Sequence, residues 1–576
     1  MVAITPMLND NSRRGRSNSL AKQDPSTNTP TLHGARSLGP RGRWEAWVRA
    51  GLLVGVLSLG LTHALRAQDS TERPPNIVVI LADDLGYGDV GCYGGDTCRI
   101  ATPVIDQLAA DGMRFTDAHS SSGVCSPSRY TLLTGRYHWR SRLQTGIVGV
   151  FGNPLIAADR PTIGTLAQQA GYRTACFGKW HLGWNWDLSA EAKPLFAPGN
   201  NGPRETTAEQ LAAWSVRFAQ PVPGGPTTRG FDRYFGTDVP NWPPYCFMDN
   251  DRTVGIPSTL LPRELLGNNQ ASLPGPALEN WSLEPILPRT IDRACEWIAG
   301  RAQEDERFLM YVPLTSPHTP LAVNEAWRQQ SSLGEAVADL IMETDAEVGR
   351  LLRTIDDHGL TNDTLIVFTS DNGFAPYAGA ASLVSQGHFP SGPLRGYKGD
   401  TWEGGHRVPF IVKWPGVVAA GSTCDALVHH ADLFRTVADL LDQVVEPTAG
   451  EDSFNLLPLL RGERESIREH AISHSANGLA SLRLGSWKLI AGEGGGGPWS
   501  NQSRIQPEAS DDASGLQLYD LASDIGETNN LAAAQPERVA EMLRLLQQLV
   551  EDGRSTPGEP QANDVRVNWQ RYLPKE

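Results

Sequence analysis

The sequence predicts an α/β fold: a large mixed, mostly parallel sheet flanked by helices, followed by a smaller C-terminal α+β domain. Three observations carry this. First, NIVVILADDLG (76–86), FLMYVPLTSPH (308–318) and TLIVFTSDNG (364–373) are continuous apolar runs. Continuous rather than alternating apolarity suits strands buried on both faces, as in a parallel sheet. Second, helical patterns alternate with these strands, which is the signature of an α/β sheet. Third, the strand runs end in polar, chemically capable groups, and open α/β sheets bind ligands beyond the carboxyl ends of their strands.

The elements follow in order. After the run at 76–86, TPVIDQLAADG (102–112) reads as a helix. IGTLAQQAGYRTACFGKWH (163–181) repeats the helix-then-strand pattern. Residues 184–280 are rich in Pro, Gly, Trp and Asn with little periodicity. That length is too great for a plain loop, so the stretch reads as an insertion carrying recognition. EAVADLIMETDAEVGRLLRTI (335–355) has Val337, Leu340, Ile341, Val348, Leu351 and Leu352 at helical spacing. Residues 446–576 read as the smaller domain. SLRLGSWKLIAG and LQLYDL are its strands, PERVAEMLRLLQQLVEDG is a terminal amphipathic helix, and GEGGGGPWSNQ is a flexible loop.

The chain has 576 residues, 40% hydrophobic and 20% charged, which is ordinary globular composition. Its 50 Lys/Arg and 65 Asp/Glu sum to −15. Residues 1–66 hold nine basic and three acidic residues, or +6, so the remainder carries −21. An acidic body repels nucleic acid, and no nucleic-acid partner is expected. Residues 1–74 read as a leader. The apolar stretch Ala50–Leu65, with basic residues before it and Arg66-Ala67-Gln68 after it, fits a secretory signal. Export to the periplasm or medium follows, with no stable membrane partner after cleavage. Of the seven cysteines, Cys92 and Cys98 are close enough in sequence to bridge.

Four strand ends carry Asp83-Asp84, Lys179 with His181, His318, and Asp371-Asn372. Each alone is ordinary turn or loop chemistry. Their coincidence at one sheet edge points to a site. Asp83, Asp84, Asp371 and the Asn372 carbonyl offer hard oxygen ligands for calcium or magnesium, with cavity size deciding between them. The segment CSPSRYTLLTGR (125–136) places Cys125 in a Ser/Pro loop before Arg129 and a helical pattern.

That segment resembles the signature of type I sulfatases, in the alkaline phosphatase-like superfamily: Cys125, Pro127, Arg129, then Thr134-Gly135-Arg136. NIVVILADDLG, GKWHLG (178–183), SPHTP (316–320), TSDNG (369–373) and LRGYKGDTWEGGHRVP (394–409) are similar to that family's stretches in the expected order. LYDLASDIGETNNLA (518–532) resembles the family's C-terminal region. The resemblance implies a catalytic domain over 75–445 and hydrolysis of sulfate monoesters of carbohydrates or aryl alcohols. It implies that a maturase converts Cys125 to formylglycine, which acts as nucleophile and metal contact. Asp83, Asp84, Asp371 and Asn372 would hold the metal, usually calcium, with magnesium second. Arg129 would steady the aldehyde hydrate. Lys179 and Lys398 would hold sulfate oxygens, His181 would assist sulfate release, and His318 would protonate the leaving oxygen. Glu403, His388 and His406 are read as shaping the loop near Lys398. The chemistry is consistent: a geminal diol has a second hydroxyl with which to expel sulfate, whereas a serine would be trapped as an ester. Two rivals remain at this point: a phosphate or phosphonate monoester hydrolase, and a non-catalytic glycan-binding protein. Trp184, Trp186, Trp242 and Tyr245 could stack on sugars or simply pack the insertion.

Overall fold

The structure is a computed structural model that describes residues 73–573, apart from 268, 305 and 501–514. The leader reading over 1–74, with its apolar stretch, lies almost wholly outside the described residues. The strands of the main sheet are β1 (Asn76–Asp83), β2 (Met113–Phe115), β3 (Arg173–Lys179), β4 (Arg233–Thr237), β5 (Met248–Asp249) and β6 (Arg252–Thr253). They continue as β7 (Phe308–Pro317), β8 (Thr364–Ser370), β9 (Phe410–Lys413) and β10 (Ser422–Cys424). The ten lie in the order β10-β2-β9-β8-β1-β7-β3-β4-β5-β6. The central strands β8, β1, β7, β3 and β4 are all parallel. Antiparallel pairs flank them, between β8 and β9 and between β4 and β5. The sheet is therefore mixed and mostly parallel.

Every residue of β1 is buried. Alternate side chains serve different cores: Ile77, Val79 and Leu81 enter one, and Val78, Ile80 and Ala82 the other. This is why the run shows no alternation in sequence. Helix α1 (Cys125–Thr134) lends Tyr130, Leu132 and Leu133 to the first core. Helices α2 (Ile286–Glu304) and α3 (Ala336–Asp357) cover the opposite face, with Ile291, Ile298, Val337, Ile341, Val348 and Leu351 in the second.

A smaller antiparallel sheet follows, of β11 (His470–His474), β12 (Ala480–Leu484), β13 (Trp487–Ile490) and β14 (Gln517–Asp520). Helix α4 (Pro536–Glu551) packs on it through Val539, Met542, Leu546 and Leu549. Tyr137 and Trp139 join the same core from the segment just after α1. All seven cysteines are free thiols, Cys92 and Cys98 included. Among the described residues, no helix is long and apolar enough to cross a membrane.

Candidate active site

Four adjacent parallel strands bring the predicted groups to one sheet edge. β1 ends at Asp83 and β3 at Lys179, while β7 and β8 stop just before His318 and Asp371. The chain turns sharply at this edge. Asp84 has φ 66° and His181 φ 53°, a region that side-chain-bearing residues seldom enter. Such strain persists where surrounding bonds over-determine it. Here the Asp84 N–H donates to Asp371 Oδ1 at 3.2 Å, and the Leu85 N–H to Ser370 Oγ at 3.0 Å.

Three buried carboxylates face three buried cations. Lys179 Nζ donates to Asp83 Oδ2 at 2.6 Å, and Lys398 Nζ to Asp84 Oδ2 at 2.6 Å. Arg129 donates to Asp371 Oδ2 through Nε at 3.0 Å and Nη2 at 2.8 Å, and through Nη1 to the Lys179 carbonyl at 2.8 Å. Burial alone would raise Asp83, but Lys179, His318, Arg129 and Lys398 outweigh it and hold the carboxyl well below its usual range. Asp371 goes the other way: burial, then repulsion from Asp83, pushes it up to about 7 against the pull of Arg129.

Cys125 begins α1, and no side chain caps that end of the helix. The free N–H groups and the dipole of its first turn favour negative charge beside the residue. Its thiol is 2% exposed and donates to Asp83 Oδ1 at 3.4 Å. Burial, then the Asp371 carboxylate, pushes the thiol up, so the cysteine as encoded is held as a thiol.

The two histidines are held in defined tautomers. His318 Nδ1 donates to the Thr319 carbonyl at 2.6 Å, which leaves Nε2 3.6 Å from Asp84 Oδ2. Burial, then Lys398, lowers His318 to about 4. His181 Nε2 donates to the Val148 carbonyl at 3.1 Å, so its buried Nδ1 is an acceptor, and it has no partner. Asn372 Nδ2 donates to Asp84 Oδ1 at 2.7 Å, while Asn372 Oδ1 is buried and unpartnered. Asp83, Asp84, Cys125 and His318 each bring a ligand atom within 4.8 Å of the others. An oxygen-rich donor set with a spare buried carbonyl fits a hard divalent cation.

Cys125, His181, His318 and Lys398 line a cavity of about 570 Å³. Residues 75–443 match the family model described as Sulfatase. This chain belongs to the sulfatase family. It is 31% identical over 491 residues to the N-acetylgalactosamine-6-O-sulfatase of Bacteroides thetaiotaomicron, covering 82% of this chain and 93% of that one. It is 32% identical over 504 residues to human arylsulfatase A, covering 85% and 89% of the two chains. A solved structure from work on glycosaminoglycan metabolism by Bacteroides thetaiotaomicron superposes with TM-score 0.69 at 29% identity, covering 83% of this chain and 99% of that one. The fold is also that of a phosphonate monoester hydrolase from Silicibacter pomeroyi, at TM-score 0.52 and 20% identity over 83% of this chain and 94% of the other. The protein is a sulfuric ester hydrolase of the alkaline phosphatase-like fold.

In this sulfatase all ten predicted site residues meet at one edge. Arg129 bonds Asp371 and the Lys179 carbonyl there. Glu403, His388 and His406 are buried in other networks: His388 with Asp89 at 2.8 Å, Glu403 with Lys488 at 2.9 Å. Of the aromatic candidates, Trp184, Trp186 and Tyr245 are core residues, and Trp242 lines the cavity. Sequence reasoning missed Tyr377, whose hydroxyl accepts from Lys398 Nζ at 3.3 Å. It sits in a short 3-10 turn with no periodic or compositional signal. It also missed Trp499 on the cavity wall, because the glycine run before it reads as a free loop.

Proposed function

We propose that the sulfatase cleaves sulfate monoesters of carbohydrates or aryl alcohols at Cys125, converted to formylglycine by a maturase, with calcium held at the acids and magnesium as second choice. The observation that supports this most is the position of Cys125: a helix N-terminus, a thiol 3.4 Å from Asp83, at the wall of a cavity shared with His181, His318 and Lys398. Asp83, Asp84, Asp371 and Asn372 would hold the cation, which supplies charge stabilisation and a lowered pKa for an oxygen bound to it. The aldehyde hydrate supplies one oxygen to attack sulfur and a second hydroxyl to release sulfate.

The remaining work falls to the chain's own groups. Lys179 and Lys398 bind the non-bridging sulfate oxygens and offset the charge that shifts as the ester bond breaks. His318 faces the reacting end with Nε2, where an anionic ester would draw a proton onto it and so prepare it to protonate the leaving oxygen. His181 presents the Nδ1 lone pair, suited to accept the proton whose loss frees sulfate. Arg129 fixes Asp371 and the end of β3. Export of the enzyme rests on the apolar stretch Ala50–Leu65 and its basic flank.

The test is a set of initial rates on sulfate and phosphate esters of one leaving group, with enzyme made alongside a maturase. We expect sulfate to be preferred by about 100-fold, a difference of about 2.7 kcal/mol. A preference for phosphate would overturn the reading.

A further inference from the structure

We infer that Trp499, carried by the glycine-rich loop of the C-terminal region, is a specificity-determining residue: with Trp242 it forms an aromatic wall that selects an uncharged sugar ring bearing the scissile sulfate. The inference rests on the reading that the Cys125 end of the cavity takes the sulfate.

The loop is docked where the catalytic lysine lies. The Thr401 N–H donates to the Gly495 carbonyl at 2.8 Å, Ser500 Oγ donates to Asp400 Oδ1, and the Gly497 N–H donates to Ser500 Oγ at 2.9 Å. These contacts pin residues 495–500 onto the turn that follows Lys398. Gly399 in that turn has φ 94°, and a Cβ there would lie 3.1 Å from Pro498 Cδ and 3.2 Å from Trp499 Cε3. The indole therefore rests close against Gly399, whose positive φ favours glycine and where a Cβ would crowd it. Its ring meets Tyr377 with centroids 5.1 Å apart, and the Tyr377 hydroxyl accepts from Lys398 Nζ at 3.3 Å. Trp242 stands edge-on to His181 at 5.5 Å. Both indoles are only part-buried, and both line the cavity.

The charge distribution narrows the ligand. The titratable groups on the lining are Cys125, His181, His318, Tyr377 and Lys398, and among the described residues no Asp, Glu or Arg joins them. Away from these groups the polar lining is neutral. Asn241 Nδ2 donates to Ser272 Oγ at 2.8 Å and to Thr319 Oγ1 at 3.3 Å, which leaves Asn241 Oδ1 without a partner, as is Asn269 Oδ1. Both carbonyl oxygens are buried acceptors, and a ligand group that reaches them must bring an O–H or N–H donor. Away from Lys398 and the two histidines, a carboxylate or second sulfate on the ring would meet acceptors and, among the described residues, no cation. A fused apolar ring system would leave the same acceptors unpaired at a cost. A neutral polyol ring satisfies both: its hydroxyls donate to the amides, and its C–H face stacks on indole.

The experiment compares kcat/KM on three probes with the matured full chain. They are a set of mono-O-sulfated galactopyranosides with the ester at each ring position, their disulfated counterparts, and 4-nitrophenyl sulfate. Wild type should prefer the best monosulfated sugar over its disulfated counterpart by about tenfold or more. W499A should lose about tenfold on that sugar, mostly through KM, and less than about threefold on 4-nitrophenyl sulfate. W499F should recover most of the loss. Equal losses on both substrates, no recovery by W499F, or a preference for disulfated sugar would each overturn the inference. If W499A fails to fold, W499F and the wild-type preference still decide. Failure of wild type on every sulfate ester, aryl included, would instead overturn the proposed function beneath it.

Discussion

Two buried charge clusters in this molecule have the same formal composition and opposite fates. At the sheet edge, Asp83, Asp84 and Asp371 face Arg129, Lys179 and Lys398. Beneath the C-terminal sheet, Asp117, Glu403 and Glu527 face Arg407, Arg483 and Lys488. The second also holds two histidines, and His119, Glu403 and His406 lie close enough to ligate an ion. Yet Lys488 Nζ already sits 2.9 Å from Glu403, 2.8 Å from Glu527 and 3.3 Å from His406 Nε2. His119 is spent between Asp117 at 2.8 Å and His406 at 3.1 Å. The sheet edge instead leaves two acceptors over, Asn372 Oδ1 and His181 Nδ1, and His181 lines a cavity together with Cys125. Charge count does not mark a site. Open space alone does not either, since Asp117, Arg407 and Arg483 of the second cluster line a cavity of about 750 Å³; what sets the sheet edge apart is its pair of spare acceptors.

Variants should separate the two clusters. Cys125→Ala should lower turnover by about 10³-fold or more while the melting temperature holds. Retained sulfate release would remove Cys125 from the chemistry. Lys488→Met should do the reverse. It strands Glu403 and Glu527 without their shared ammonium and should cost about 3–5 kcal/mol in denaturant unfolding, with turnover per folded molecule nearly unchanged. Lost turnover without lost stability would place the second cluster in catalysis. Chelation should lower activity by about 100-fold, restored by calcium more fully than by magnesium, and the Lys488→Met variant should respond identically. A response altered by Lys488→Met would mean that the ion sits in the second cluster.

The smallest effect concerns acid. His474 stacks on Trp139 at 5.4 Å, and burial, then Arg140, lowers it from 6.5 to about 3. The unfolded chain therefore takes up this proton first, and stability drains as pH falls from about 6.5 towards 3. At pH 5 the loss from this one group is about 2 kcal/mol. His474→Phe keeps the stack and should flatten that part of the profile, as read by melting temperature between pH 7 and 5. An unchanged slope would mean that His474 is not a source of the acid loss.

The contrast also explains what could be read from sequence. The sheet edge was legible because buried parallel strands leave continuous apolar runs, and their carboxyl ends share one side of the sheet. Asp83, Lys179, His318 and Asp371 each follow directly from such a run. Arg129 and Lys398 have no such marker, one lying inside a helix and the other in an aperiodic loop, and only the family resemblance pointed to them. The second cluster draws on positions 117, 403, 483, 488 and 527, which no local pattern links. Trp184, Trp186 and Trp242 look alike in a Trp-rich insertion, yet two are core and one lines the cavity, because composition cannot distinguish inward from outward. Glycines 494–497 signal backbone freedom, but here the missing side chain of Gly497 lets the loop lie against Gly399, where a Cβ would fall 2.6 Å from the Gly399 carbonyl carbon.

The most direct test is the mass of the peptide containing Cys125, taken from active enzyme produced in an organism that supplies the maturase. The mechanism predicts a residue mass matching the aldehyde or its hydrate, in proportion to the specific activity of the preparation. An intact thiol in fully active enzyme would contradict it.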